Sequence, residues 1–370
     1  MTASGDGQSR PRRVGSRHPS PRAESRRVTI QDVASEAQVS VSAVSKVLRD
    51  AYGVSPQMRR KVTAAIERLG YRPHAGARAM RGRSYTIGVM LIKLSSPFQP
   101  EIVDGISEEL ESSPFQEIVV SGGMSLERQE RSVEALVDRQ VDGLILIAPW
   151  MSMSWLEQLG ASVPTVVIAR HGGAANFDTI VSDNYEGARL MVDHLVSLGH
   201  QHILYASQPP RGLTRPFVLS HTLRCDGYVQ AMKRHGLDPD VIETEHTEQG
   251  GYQAALDVFA RPTPPTAIFA GVDIAALGVL RAAGEHGLRV PEDLTIAGYD
   301  NIFAATIPRV SLTTVDQSAH LTGSMSARLL LERMNGRTQP VHYVVAPRLV
   351  TRSTSAAPDR QPEPSLLERS

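Results

Sequence analysis

The chain has 370 residues, 41% of them hydrophobic and 21% charged, with 39 basic and 39 acidic side chains. That length exceeds one typical core, so at least two domains are expected, and the lone cysteine, Cys225, excludes an intramolecular disulfide framework and fits a reducing cytoplasm. The balanced charge conceals an asymmetry: residues 1–85 carry 17 Lys plus Arg against 6 Asp plus Glu, and the remainder 22 against 33. A basic end on an acidic body is the electrostatic footprint of a nucleic-acid-binding head.

In chain order, the first 27 residues hold seven arginines among Pro, Ser and Gly with no apolar stretch, which reads as a disordered basic tail and not as a secretory signal. The segment Val28 to Leu48, VTIQDVASEAQVSVSAVSKVL, reads as two short helices joined by a tight turn. Thr29 with Asp32 three residues on is a capping-box pattern, and Val33, Ala34 and Ala37 fall on one helical face. Ser40 caps the second helix, which hides Val44, Val47 and Leu48 and turns Val41, Ser42, Ser45 and Lys46 outward. Small apolar inner faces allow steep, close packing, the geometry of a helix-turn-helix whose second helix enters a major groove. Ser55-Pro56 opens a third helix, with Met58, Val62, Ala65, Ile66 and Leu69 at helical period, Gly70 as its stop and Pro73 beyond. Residues 74–84, HAGARAMRGRS, are basic and too short for a stable isolated helix. They suit a segment that folds only on docking to DNA, with Met80 as an apolar wedge.

From Tyr85 onward, apolar β-branched runs (TIGVMLI, EIVVSG, GLILIA, TVVIAR, HILYA, TAIFA, LTIAGY) alternate with helical patterns, which argues for parallel sheets covered on both faces. The pattern occurs twice, in roughly residues 85–184 and 185–311, and a helix at about 317–335 with later strands is expected to return and join the halves. No apolar run is long enough to span a membrane. The chain contains no GxxxxGK[ST], HExxH or GxSxG motif and no Cys/His metal set, so neither an enzyme nor a metal or cofactor site is expected. The Pro-rich polar residues 354–370 read as a second disordered tail without heptads, which favours a dimer over a coiled-coil tetramer.

VTIQDVA, VSVSAVSKVL and a third helix ending in GYRP together resemble the DNA-binding head of the LacI/GalR family of bacterial transcription regulators. RCDGY, PTAIFAGVDIAALGVLRAAGEHGLRVPEDLTIAGYDN and SLTTVDQ continue the likeness in family order from about residue 28 to residue 353. It implies a small all-α helix-turn-helix domain (28–73), a hinge (74–84) and a two-lobed α/β body with parallel sheets of the type I periplasmic-binding-protein kind (85–353). The lobes are expected at about 85–184 plus 317–345 and 185–316 plus 346–353. It further implies a homodimer that binds a near-palindromic operator in double-stranded DNA and a small-molecule effector between the lobes, a sugar or related metabolite, with repression as the default sign.

On the head the resemblance assigns base-edge contacts to Val41, Ser42 and Lys46, phosphate contacts to Thr29, Ser40 and Ser45, and hinge contacts to His74, Ala77 and Met80. Lysine donates to guanine O6 or N7, serine pairs with several bases, and valine meets only a thymine methyl. Gln38 stands in the turn where the family usually has glycine, which demands another backbone conformation or some strain. In the cleft it assigns Phe98, Gln99, Arg170, Arg224, His246 and Asp300 to the effector. Ala169 and Val272 stand where sugar-binding relatives often carry aspartate and asparagine, so a phosphorylated, acidic or less polar metabolite stands beside an ordinary hexose as an alternative. The loop QPPRGLTRPF (208–217) is expected to cover part of that cleft. Methionine is soft and apolar enough to part a base step. Replacing Met80 by Ala is therefore expected to weaken operator binding and remove the bend, read by footprinting and by circular-permutation gel shifts; unchanged affinity and bend would remove the wedge assignment.

Overall fold

The computed structural model describes residues 28–48, 52–71, 83–208 and 219–358, in two compact units, Met1–Ala77 and Arg78–Ser370. The first unit holds α1 (Ile30–Ala37), α2 (Val41–Leu48) and α3 (Pro56–Leu69). Local chemistry sets each start. The Thr29 hydroxyl accepts from the Asp32 N–H at 3.3 Å while the Asp32 carboxylate takes the Thr29 N–H at 2.7 Å. Ser40 Oγ accepts from the Ala43 N–H at 3.1 Å, and Ser55 Oγ from the Met58 N–H at 3.2 Å behind Pro56. Val33, Val44, Val62 and Ala65 form a fully buried centre that Tyr71 closes. This core is small, so caps contribute a large share of its stability, about 1 kcal/mol each.

The turn between α1 and α2 resolves the Gln38 question. Gln38 sits at φ 54°, ψ 46°, the left-handed conformation that glycine adopts freely, and its N–H still closes onto the end of α1. The turn keeps its geometry and the side chain bears the strain.

In the second unit, β1 (Thr86–Leu91), β2 (Gln116–Ser121), β3 (Gly143–Ile147), β4 (Thr165–Ile168), β5 (Asp178–Ser182) and β11 (His342–Val345) form a parallel sheet ordered β11-β5-β4-β3-β1-β2. A second parallel sheet, ordered β7-β6-β8-β9, uses β6 (Ile203–Ser207), β7 (Asp240–Glu243), β8 (Ala267–Ala270) and β9 (Thr295–Ala297). β10 (Thr314–Asp316) and β12 (Arg348–Val350) pair antiparallel, and Thr313, just before β10, bridges to Ala297 at the end of β9. The central strands are buried on both faces, which is why they read as continuous apolar runs. β7 is a four-residue edge strand with alternating exposure, and β10 and β12 have three residues each; none makes such a run.

The helices of this unit are α4 (Phe98–Leu110), α5 (Leu126–Asp138), α6 (Met153–Ser162), α7 (Asn184–Ser197), α8 (Ser220–Arg234), α9 (Glu248–Phe259), α10 (Asp273–Glu285), the single turn α11 (Phe303–Thr306) and α12 (Ala319–Met334). α4 and α12 cross against each other at two glycines. A Cβ on Gly105 would overlap the His320 carbonyl, and one on Gly323 the Ile102 carbonyl. The apolar faces of both helices, Ile102, Ile106 and Leu110 with Ala319, Ala327 and Leu330, lie in the first sheet's core.

The chain passes between the sheets at Ser182–Asn184, Asp316–Ala319 and Val345–Arg348. The Asp183 N–H donates to the Val345 carbonyl at 3.2 Å, and Arg348 Nη2 to Asp316 Oδ2 at 2.7 Å, so each passage is bonded to a neighbour. His74, Ala77 and Met80, both terminal tails and most of the 208–217 loop lie outside the described residues.

Relief of a left-handed side chain outweighs glycine's larger unfolded-state entropy by a modest margin. Gln38→Gly is expected to stabilise the isolated three-helix unit by about 0.5–1 kcal/mol, seen as a higher melting temperature by circular dichroism.

Candidate functional site

On the head, the outward face of α2 presents Val41, Ser42 and Lys46 as exposed side chains, with Ser45 half-buried. The hydroxyls of Ser40 and Ser42 lie 2.8 Å apart, so either donates to the other and each keeps capacity for an outside partner. Thr29 Oγ1 donates to Asp32 Oδ2 at 2.8 Å, so its first duty is the cap. What this surface offers is one ammonium, short hydroxyls and one methyl-bearing side chain, on a helix held rigid from behind.

In the body, the candidate residues gather at the carboxyl ends of the strands. In both sheets the strand order reverses beside the first strand of the set, β1 or β6, which is where open α/β sheets leave a crevice. Phe98, the first residue of α4, packs against the cores of both sheets and spans the space between them. Gln99 turns its Oε1 back to the Ile92 N–H at 2.8 Å and the Lys93 N–H at 3.4 Å, which pins the turn after β1. Arg170 turns into its own lobe. It is 1% exposed, and its Nη1 and Nη2 donate to the Pro149 and Met151 carbonyls at 3.2 and 3.0 Å, so the guanidinium locks the turn after β3 within its own lobe. Beside it, Ala169 adopts φ 57°.

Arg224, on α8, is 4% exposed. Its Nε and Nη2 donate to Asn184 Oδ1 at 3.2 and 2.9 Å, its Nη1 donates to the Gly271 carbonyl, and its guanidinium carbon lies 3.7 Å from the centre of the Tyr299 ring. Asn184 is itself buried and donates Nδ2 to the Ser182 carbonyl at 2.9 Å. His246 Nε2 stands 3.4 Å from both Ser207 Oγ and the Gln208 N–H at the end of β6, with the His221 ring edge-on at 6.0 Å. Burial, then Arg224 and His221, hold His246 well below the usual imidazole range, so it is neutral and accepts at Nε2.

Asp300 follows β9 at φ 121° and Asn301 at φ 58°, two consecutive residues in conformations that L side chains rarely adopt. Strain of this kind, about 1–3 kcal/mol per residue, persists where the surroundings over-determine it and clusters at ligand sites. Gln317 Nε2 donates to Asp300 Oδ1 at 2.6 Å. Burial pushes the Asp300 carboxyl up to about 8, with Arg224 opposing. Asp273, fully buried, accepts from Thr314 Oγ1 at 2.5 Å and the Ile302 N–H at 3.0 Å, and burial raises it to about 6.

A cavity of about 720 Å³ opens beside the second and third passages, lined by Glu101, Asp300, Asp316, His320, Tyr343 and Arg348 among others. Of the six effector candidates only Asp300 reaches it; the other five lie elsewhere. Asn184, Tyr299, Gln317 and Glu101 were not singled out from the sequence. Asn184 follows the Asp183 cap and Gln317 ends the SLTTVDQ block, but nothing local marks either as a partner of Arg224 or Asp300. Glu101 takes the Phe303 N–H at 2.8 Å from across the lobes, a contact 202 residues apart in the chain.

The family model described as "Bacterial regulatory proteins, lacI family" matches residues 29–74, and "Periplasmic binding protein-like domain" matches residues 192–355. Catabolite control protein A of Priestia megaterium is 34% identical over 328 residues, 87% of this chain and 97% of its own. The HTH-type transcriptional repressor PurR of Pasteurella multocida is 31% identical over 334 residues, 88% of this chain and 98% of its own. Among solved structures, the lac repressor dimer bound to operator and the anti-inducer ONPF superposes with a TM-score of 0.76 at 29% identity, covering 90% of this chain and 100% of that one. The transcriptional regulator CelR in complex with cellobiose gives 0.65 at 30% identity, covering 89% and 100%.

Because the fold raises the Asp300 pKa from 3.8 to about 8, it favours the protonated carboxyl. The associated stability is complete below pH 3.8 and is lost as pH rises toward 8. Asp300→Asn is therefore expected to gain stability relative to the parent across that interval, with a constant difference above it, measured as melting temperatures of both proteins over pH.

Proposed function

The chain belongs to the lacI family of bacterial regulatory proteins, and from that premise we propose that it is a repressor which holds a near-palindromic operator as a homodimer and is released by a small metabolite bound between its lobes. It is a DNA-binding transcription regulator with an effector domain. The observation that carries the reading is the head: three helices, each opened by its own hydroxyl cap, presenting Val41, Ser42 and Lys46 on the open face of α2. Phosphate contacts from Thr29, Ser40 and Ser45 would position the helix, and the α2 side chains would read base edges. His74, Ala77 and Met80 would form the minor-groove segment that orders only over DNA.

The domain limits we adopt are 28–73 for the head, 74–84 for the hinge and 85–353 for the body. The effector reading rests on Arg224 and Asp300, two buried polar groups of opposite chemical character at the strand ends, with Phe98 in contact with both cores. A ligand that favours one lobe arrangement over the other changes operator affinity by the same factor that DNA changes ligand affinity. The lac repressor structure contains operator with an anti-inducer, and CelR contains cellobiose; the corresponding partners here are operator DNA and a sugar or related metabolite. No described helix is long and apolar enough to cross a membrane, and we place the protein in the cytoplasm, on DNA.

Selection from a random duplex pool by the effector-free protein tests this directly. The expected product is an enriched near-palindrome with a flexible central step. Recovery of unenriched duplexes bound only in a salt-sensitive manner would overturn repression without a co-repressor.

A further inference from the structure

This inference deepens the DNA-binding reading of the head and rests on it. We propose that residues 1–27 are a second DNA contact, an arginine arm that neutralises backbone phosphates beside the site held by the head and reads no sequence.

The basic surplus of the first 85 residues does not lie on the recognition helix. Residues 28–71, which include the three helices, carry six Lys plus Arg against four Asp plus Glu, a surplus of two. Residues 72–85 carry four against none, and residues 1–27 carry seven arginines against two acids, a surplus of five. Within the head, Lys46 is the one base on α2; Arg59, Arg60, Lys61 and Arg68 stand on α3, and Arg68 pairs with Glu36 at 3.0 Å. A duplex carries one negative charge per about 1.7 Å of its axis, so a recognition face with one ammonium leaves most nearby phosphates to other cations.

The arm joins the head at a fixed point. Val28 packs on the head core, one residue before the Thr29 cap of α1, and Arg26 and Arg27 directly precede it. With Thr29 on the phosphate backbone, as proposed above, these arginines start beside the duplex. At about 3.3 Å per residue, 27 residues reach further than one helical turn of DNA, about 34 Å.

Composition selects the partner. Met1 and Val14 are the only large apolar side chains of the arm, so it offers a protein surface no apolar face to bury. All its cations are arginine except any contribution of His18, and guanidinium donors match phosphate oxygens in pairs. The other acidic candidate is the body, with 33 acids against 22 bases in residues 86–370. There the two signs are interspersed and often paired, as Asp193 with Arg189 and Asp178 with Arg333 and Arg337. Duplex charge is uniform in sign and denser, which makes DNA the stronger partner.

The test is fluorescence anisotropy of the full chain on a random-sequence duplex of about 40 base pairs, four helical turns, with KCl varied between about 50 and 200 mM. The parent is compared with two variants, one with every arginine from Arg10 to Arg27 replaced by Gln and one with Lys at the same places. The slope of log K against log salt is expected to be shallower by about 2–6 in the glutamine variant, because each phosphate contact contributes about 0.9. Lysine keeps the charge and should bring the slope to within about 1 of the parent. Lys46→Gln should change the parent slope by about 1 or less. Circular dichroism verifies that the helices are unaffected. Equal slopes in the parent and the glutamine variant would overturn the proposal, as would a slope that lysine does not restore. Tighter duplex binding by the glutamine variant would also overturn it and would put the arm on the acidic body. The random duplex holds no selected site, so this outcome is separate from operator enrichment. Enrichment with equal slopes would leave the repressor reading standing alone, and an arm-dependent slope without enrichment would leave only this contact.

Discussion

A guanidinium held inside a protein by neutral partners fixes the geometry of everything around it. Arg224 reaches from α8 to the Gly271 carbonyl at the end of β8, to Asn184 at the first passage between the sheets, and onto the face of Tyr299 after β9. Two of these are segments of the second lobe and the third is the passage into it, and all three are bonded to or stacked on the same guanidinium. Gly187, one turn into α7, is required by the same packing, since a Cβ there would overlap the Tyr299 hydroxyl. The hydrogen bonds to charge are stronger than neutral ones, so this node resists the small rearrangements that softer apolar packing would allow.

Because Asn184 stands where the chain leaves the first sheet, the node also connects ligand chemistry to the arrangement of the lobes. Asn184 bonds backward to Ser182 and sideways to Arg224, and its neighbour Asp183 bonds to Val345 on another passage. Across the lobes, Phe98 touches both cores and Glu101 caps the α11 turn at Phe303. Coupling between a ligand and the arrangement of the lobes needs only a difference in affinity between two such arrangements.

The head depends on a different economy of forces. Its core is eight buried side chains, four of them fully buried, so hydroxyl caps at Thr29, Ser40 and Ser55 contribute a large fraction of the order in three short helices. The basic surplus of residues 1–85 supplies attraction to phosphates that falls with salt and carries no sequence information. Under the proposed reading, sequence discrimination rests on the few side chains on the outward face of α2, whose placement the caps and core behind them fix.

How much of this was legible in the chain follows from the range of the interactions. Caps, the Ser55-Pro56 start and the Gly70 stop involve residues within four positions of one another, and the sequence displays them directly. Strands buried on both faces leave apolar runs that need no partner to be recognised, whereas the edge strand β7 and the three-residue β10 and β12 exist only because neighbours pair with them. The type of residue at the cleft, a guanidinium in RCDGY and a carboxylate in GYDN, was also readable. Its use was not. Arg170 and Arg224 are the same residue type in apolar surroundings, yet the first closes on the carbonyls of the turn after β3 and the second on Asn184 and the Gly271 carbonyl, a difference set by contacts 19 to 47 residues away. The sequence by itself determined the elements, the charge asymmetry and the chemistry available at each strand end, because these depend on near neighbours and composition. Only the tertiary structure decided which of those groups are satisfied within the chain, and by which partners, because a hydrogen bond is assigned by where distant segments meet.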